Sequence, residues 1–227
     1  MIRLNKVSKS FSNGLKVLDD LSLHICKEEF VYLIGASGVG KSTLLKLIFM
    51  ADFPTEGEIY VDKFLLKDIR PHQIPYLRRS MGIIFQDYKL LPKRTVYENV
   101  AFALSVMHVA GPRLKRQVRH SLELVGLAHK QTAYPHELSG GEQQKMCIAR
   151  AIVNNPPILL CDEPTGNLDP DTSWDIVQLL TKINRERKTT ILMSTHDTEI
   201  VDGLPKRVIE LQQGKIHRDQ NLGGYSR

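Results

Sequence analysis

The chain has 227 residues, 42% of them hydrophobic and 25% charged. That is enough apolar side chain for one large domain or two small ones, and too much for a disordered or collagen-like chain. Thirty-one Lys and Arg against 25 Asp and Glu leave a net charge of +6, compatible with nucleotides, nucleic acids or lipid headgroups without choosing among them. No stretch approaches the roughly 18–20 unbroken apolar residues of a membrane helix, and the opening MIRLNKVSKSF has no secretory apolar block. The expectation is a cytosolic protein that reaches a membrane only through something else.

In chain order, Ile2, Leu4, Lys6 and Val7 read as a strand ending in a Ser12-Asn13-Gly14 turn, and VLDDLSLHI as a second strand. FVYLIG is a short apolar run of the kind buried on both faces of a sheet. It ends in glycines, and KSTLLKLIF follows at helical spacing; GEIYVD is a further strand. From Met81 the texture changes. MGIIFQD reads as a strand, VYENVAFALSVMHV as a helix ended by Gly111-Pro112, PRLKRQVRHSLELVGL as a helix with a basic outer face, and LSGGEQQKMCIARAIVNN as a third. Residues of roughly 87–155 form a mainly helical insertion on this reading. Then come a buried strand ILLCDEP, a helix over 171–186, a strand TTILMSTHD, and a hairpin RVIELQQGKI turning at Gln213-Gly214. The polar tail from Arg218 reads as loose.

Strands alternating with helices predict an α/β fold with a mostly parallel, doubly wound sheet, whose ligands gather at the C-terminal ends of strands. The polar clusters Gly35–Ser42, Gln86, Asp162-Glu163 and His196 all stand at such ends. Cys26, Cys147 and Cys161 form no C-x-x-C pair and have apolar neighbours, which predicts reduced core thiols. The eight histidines lack metal-ligand spacing, so no structural zinc is expected.

Gly35-Ala36-Ser37-Gly38-Val39-Gly40-Lys41-Ser42 fits G-x-x-x-x-G-K-[ST] between a strand and a helix, with Thr43 following. Glycines let backbone N–H groups turn inward around phosphate oxygens, and the helix N-terminus adds partial positive charge. Lys41 reaches the β- and γ-phosphates and Ser42 ligates Mg²⁺ on this reading. Asp162, delivered by an apolar strand, serves the same Mg²⁺, and Glu163 is placed to polarise an attacking water. A second anion site stands at Ser139-Gly140-Gly141-Glu142, where two glycines open a helix; the alternative there is a plain helix cap. One nucleotide does not need two phosphate sites, so ATP shared between two copies is the expectation.

Phosphate loop, Gln86, LSGGEQQ, ILLCDEP, Gly166-Asn167-Leu168-Asp169 and His196, in this order, resemble the nucleotide-binding domain of an ABC ATPase over roughly residues 1–216. The resemblance implies a P-loop fold with an antiparallel β subdomain and a helical insertion, one domain over 1–217 and a flexible tail over 218–227. It implies ATP and Mg²⁺ as ligands and head-to-tail dimerisation, each ATP lying between one copy's phosphate loop and the other's LSGGE turn. Residue by residue, Gln86 resembles the glutamine that senses Mg²⁺ and partner, Glu163 the general base, Asp169 the aspartate of the interface loop, and His196 the histidine at the γ-phosphate. Phe11 stands where an aromatic stacks under adenine, with a core or turn phenylalanine as the competing reading.

Asp162-Glu-Pro-Thr-Gly-Asn-Leu-Asp169 resembles the branch that drives mechanical work: lipoprotein release, macrolide efflux and cell division. Asp87 after Gln86, together with Arg94-Thr95-Val96-Tyr97, resembles the cell-division subgroup. There the ATPase works with an integral membrane protein that lacks ATPase motifs, and the output is control of cell-wall hydrolases. Tyr88, Leu90 and Leu91 are candidate partner contacts or part of the insertion's own core. Arg113, Lys115, Arg116 and Arg119 face anionic lipid or simply solvent. A soluble ATPase acting on nucleic acid and a non-catalytic scaffold are the readings from other classes. No nucleic acid is expected as a partner, because such ATPases carry coiled coils or tandem domains.

Overall fold

The computed structural model describes residues 1–225. Its centre is a set of short strands with nearly every residue buried. In β3 (Phe30–Ile34) all five residues are buried. Successive side chains point to opposite faces, so Phe30, Tyr32 and Ile34 enter one hydrophobic cluster while Val31 and Leu33 enter another. In β7 (Ile158–Asp162) Leu159 and Cys161 join the first cluster, and Ile158 and Leu160 the second. Such runs require a sheet covered on both faces.

With β6 (Met81–Ile84), β8 (Thr190–Ser194), β9 (Lys206–Gln212) and β10 (Lys215–Gly223), these strands form a six-stranded sheet of order β10-β9-β3-β8-β7-β6. All its pairings are parallel except that of β10 with β9. A second, antiparallel sheet has the order β2-β1-β4-β5, from β1 (Ile2–Ser10), β2 (Lys16–Ile25), β4 (Glu56–Val61) and β5 (Phe64–Leu65). It packs with α1 (Lys41–Ile48) over one face of the main sheet, through Leu4, Leu21, Ile59, Leu44 and Leu45. α2 (Ile74–Arg79) leads into β6. The other face is covered by α3 (Val96–Ser105), α4 (Gly111–Leu124), α5 (Gly140–Ile152), α6 (Pro170–Arg187) and α7 (Thr198–Gly203), through Val100, Val118, Ile148, Ile152 and Leu180. The antiparallel subdomain, the parallel core and the helical insertion are thus the architecture found. Trp174 of α6 packs close against α7: a methyl group on Gly203 would stand 2.7 Å from its indole.

Four features differ from the sequence reading. α2 was not anticipated, because Pro75 interrupts its apolar pattern; proline is tolerated in a first helical turn, and that is where it sits. Gly111-Pro112 does not end α3, which stops at Ser105, but opens α4. Cys26 is exposed, one residue past the end of β2, while Cys147 and Cys161 are buried; burial pushes the Cys147 thiol up to about 12.

The loose tail is the largest correction, since β10 continues through Gly223. Arg207 donates to both carboxylate oxygens of Asp219 at 2.8 Å and reaches Glu29 at 3.0 Å. Arg218 stands 3.1 Å from Glu210 and donates to the Tyr225 carbonyl at 2.7 Å, while the Tyr225 N–H donates to Asp202 at 2.6 Å. The polar letters that read as disorder are cross-strand partners on an edge strand. Residues 226–227 of that expected tail lie outside the described residues.

Candidate nucleotide site

The turn between β3 and α1 is drawn so tight that only glycine fits at its ends. A Cβ on Gly35, at φ 141°, would lie 2.4 Å from the Leu211 carbonyl oxygen. One on Gly40, at φ 113°, would lie 2.7 Å from Leu18. Gly40 also offers α1 no side-chain cap, which leaves the first N–H groups of the helix aimed outward, the arrangement that binds phosphate. Lys41, 4% exposed, folds back over the loop and donates to the carbonyls of Gly35 at 2.8 Å and Ala36 at 3.2 Å. Ser37, Gly38 and Val39 form the crest of the turn, and Thr43 follows Ser42 in the first turn of α1.

The strand ends bring the other polar residues to this loop. Ser42 donates to Asp162 Oδ1 at 2.8 Å. Glu163 lies 3.6 Å from Lys41 Nζ through one oxygen and 3.3 Å from His196 Nδ1 through the other. It holds a left-handed backbone, φ 45°, which costs a residue with a Cβ about 1–2 kcal/mol. Such strain is retained where the surroundings fix it. Here the fixing group is Ser194, whose hydroxyl accepts from the Glu163 N–H at 2.9 Å and donates to Asp162 at 2.8 Å. Motif reading missed Ser194. The signal is the register of β7 on β8, which sets Asp162 opposite Ser194, and a register is not visible in a linear string.

Gln86 stands just past the end of β6. Its Nε2 and Glu163 Oε2 each lie 3.6 Å from the point where a side chain on Gly166 would begin, so Gly166 keeps the space between them open. Asn167 donates to the Gln86 carbonyl at 3.4 Å. Asp169 caps α6 by accepting from the Thr172 N–H at 3.0 Å; donation from the Thr172 hydroxyl and then from its N–H holds the carboxyl below its usual range. A cavity of about 370 Å³ lies between the turn from Glu163 to Pro170 and the turn from Thr195 to Glu199. The Ser42 hydroxyl beside the Asp162 carboxylate is an all-oxygen donor set, which fits Mg²⁺.

Ser139–Glu142 stands elsewhere. Ser139 and Glu142 form a reciprocal cap at the start of α5, Glu142 N–H to Ser139 Oγ at 3.3 Å and Ser139 N–H to Glu142 Oε2 at 3.0 Å. The Lys130 ammonium, 2.6 Å away, is the main cause that lowers the Glu142 carboxyl. The atoms nearest a side chain on Gly140 or Gly141 belong to Leu168, Tyr88 and Thr172, not to the phosphate loop. Lys41, Ser42, Asp162, Glu163, His196 and Gln86 therefore meet within one chain, while Ser139–Glu142 has other neighbours. Phe11 is 41% exposed in the β1–β2 turn, with Lys9 Nζ 5.3 Å from its ring; it is not a core residue.

Of the three residues read as partner contacts or insertion core, Leu90 packs on the first hydrophobic cluster, while Leu91 and Tyr88 are half-buried and held through their backbones, Leu91 by Asn99 and the Tyr88 carbonyl by α5. An apolar groove of about 410 Å³ opens instead between α2 and β6 on one side and α3 and α5 on the other, with Phe102 and Val106 exposed in it. Among the described residues no helix is long and apolar enough to cross a membrane.

The family described as ABC transporter matches residues 18–166. Three curated relatives are each a cell division ATP-binding protein FtsE. The Bacillus subtilis protein is 49% identical over 99% of this chain and 98% of its own length, and that of Mycobacterium tuberculosis 50% identical over 99% and 98%. The Escherichia coli protein is 43% identical over 96% and 97%. Among solved structures, a dimeric bacterial ABC transporter cassette superposes with a TM-score of 0.89 at 37% identity, covering 99% of this chain and all of that one. The dimeric post-hydrolysis state of that cassette, bound to ADP and Pi, gives 0.89 at 36% identity, again covering 99% of this chain and all of that one. The cbiO1 protein of Clostridium perfringens, part of the cbiONQ transporter complex, gives 0.90 at 30% identity over 97% of this chain and 88% of that one. The chain thus belongs to the ABC transporter family, as one of its ATP-binding and ATP-hydrolysing cassettes.

Proposed function

We propose that this ATPase is the motor subunit of an FtsE–FtsX-like membrane complex in bacterial cell division, converting ATP-driven dimerisation into control of cell-wall hydrolases across the membrane. The observation that carries this reading is identity of 43–50% over nearly the whole chain to proteins with the cell-division name. Nothing comparable favours lipoprotein release, macrolide efflux or action on nucleic acid.

In the site, Gly35–Gly40 and the start of α1 wrap the phosphates, Lys41 leaves the loop carbonyls for the β- and γ-phosphates, and Phe11 stacks on adenine. Ser42, Asp162 and Gln86 would hold Mg²⁺, which supplies charge neutralisation to the phosphates. Glu163 accepts the proton of the attacking water, and His196 positions the γ-phosphate beside it. The second copy supplies Ser139, Gly140, Gly141 and Glu142, whose helix N-terminus faces the same γ-phosphate, while Asp169 of each copy lines the shared interface. This explains why one chain carries two anion sites that do not meet. An FtsX-like integral membrane protein docks in the groove at Phe102 and Val106 and holds the ATPase on the cytoplasmic side of the membrane, where the division proteins assemble.

The experiment is a pull-down from native membranes with Glu163→Gln in Mg-ATP, against Lys41→Ala. Recovery of a membrane protein without ATPase motifs, together with division proteins, is the expected result. Recovery of a lipoprotein-release or efflux permease would move the ATPase to that branch. ATP-dependent, salt-sensitive binding to duplex DNA would move it to another class.

A further inference from the structure

Directly after Gln86 the backbone does something costly. Tyr88 and Lys89 are both left-handed, at φ 59° and 47°, a conformation disfavoured for any residue with a Cβ. Two such residues in succession persist only where their surroundings hold them. The hold comes from α5. Arg150 donates from Nη2 to the Tyr88 carbonyl at 2.7 Å and from Nη1 to the Lys89 carbonyl at 2.6 Å, and the Cys147 thiol donates to the Tyr88 carbonyl at 3.3 Å. The Tyr88 hydroxyl meanwhile abuts Gly140, 3.7 Å from the point where a side chain there would begin. Tyr88 is therefore held by the C-terminal half of α5 and stands beside its N-terminus.

A guanidinium presents two donors in a rigid fork, which suits two successive carbonyls; an ammonium does not. We infer that Arg150 is a positioning residue for Gln86: its fork on Tyr88 and Lys89 fastens the segment carrying Gln86 to α5, so that Gln86 and the Ser139–Glu142 turn move as one body. Arg150 also lines the groove beside Phe102 and Val106, so a partner seated there touches the fastening itself. The inference rests on the proposed role of Gln86 at the Mg-nucleotide.

The test uses the purified full chain with Arg150→Ala, Arg150→Lys, Gln86→Ala and the double variant Gln86→Ala/Arg150→Ala. ATP turnover is followed against ATP and Mg²⁺, with equilibrium nucleotide binding and thermal melting alongside. A displaced catalytic group lowers turnover rather than affinity, so Arg150→Ala should lower kcat about tenfold at unchanged KM and nucleotide affinity. Its Mg²⁺ requirement should rise as in Gln86→Ala, and the double variant should be no slower than Gln86→Ala alone. Arg150→Lys should fall between, and it carries the same comparison if Arg150→Ala does not fold. Additive losses, a change in KM alone, or a lower melting temperature with normal turnover would overturn the inference. If Gln86→Ala itself leaves kcat and Mg²⁺ dependence unchanged, the role of Gln86 fails, and that of Arg150 with it.

Discussion

Glu163 is held by its neighbours on every side: Ser194 behind its N–H, Lys41 and His196 at its two oxygens, and a left-handed backbone beneath. A carboxylate fixed in this way, beside the loop that binds phosphate, is placed to take a proton rather than to bind nucleotide. Glu163→Gln is therefore expected to keep ATP affinity and to lose turnover by about 10²–10⁴-fold, the usual range for a general base; phosphate release and equilibrium ATP binding measure the two separately. Lys41→Ala should instead lose binding. Gly141 offers a sharper case. A Cβ there would lie 2.5 Å from the Thr172 methyl group, and a β-branched side chain on a helix has little freedom to retreat. Gly141→Ala should cut turnover, and adding Thr172→Ala should restore much of it, whereas loss through contact with nucleotide alone would not be rescued. Motif spacing picked out Lys41, Ser42, Asp162, Glu163 and His196, the letters that meet around the phosphate loop. Ser194 and Thr172 stayed hidden because they act through strand register and through packing between distant turns.

At the scale of elements, α5 is started by the Ser139–Glu142 cap and by the Lys130–Glu142 pair. Ser139→Ala should cost about 1 kcal/mol of stability, the usual value of such a cap, read from the urea midpoint. Because the Glu142 pKa is lowered on folding, its contribution is present above the unfolded value of about 4.3 and is lost as pH falls through the folded one. Midpoints measured below pH about 4.3 should therefore decline more steeply for the natural chain than for Glu142→Gln. Strands buried on both faces could be read directly from runs such as FVYLI and ILLCD. β10 could not, since its outward side chains are the polar half of cross-strand pairs and look the same as a solvated tail. Removing one partner makes the difference measurable. Arg207→Ala leaves Asp219 and Glu29 facing one another without their cation, and should cost about 1–3 kcal/mol, less than a fully buried pair because the site is partly solvated.

For the whole molecule, the separation of Ser139–Glu142 from the phosphate loop makes assembly part of the chemistry. Glu163→Gln with Mg-ATP should run by light scattering at twice the 25.8 kDa of one chain, and Lys41→Ala should stay at one. The expectation of this pairing comes from the sequence, where a glycine turn at Ser139–Glu142 stands apart from the one nucleotide loop. The sequence points to Tyr88, Leu90 and Leu91 as the contacts of a docking groove and not to Phe102 and Val106, which read like any other apolar helix positions until α2 and β6 are seen to stand opposite them.

The contact between Trp174 and Gly203 also has a practical outcome. Trp174 is the chain's single tryptophan, five residues beyond Asp169 and laid on the helix that follows His196. A shift between those two helices on dimer closure would change the solvent around that indole. Its intrinsic emission, coming from one known place in each subunit, should therefore change when Mg-ATP is added to Glu163→Gln and stay constant for Lys41→Ala.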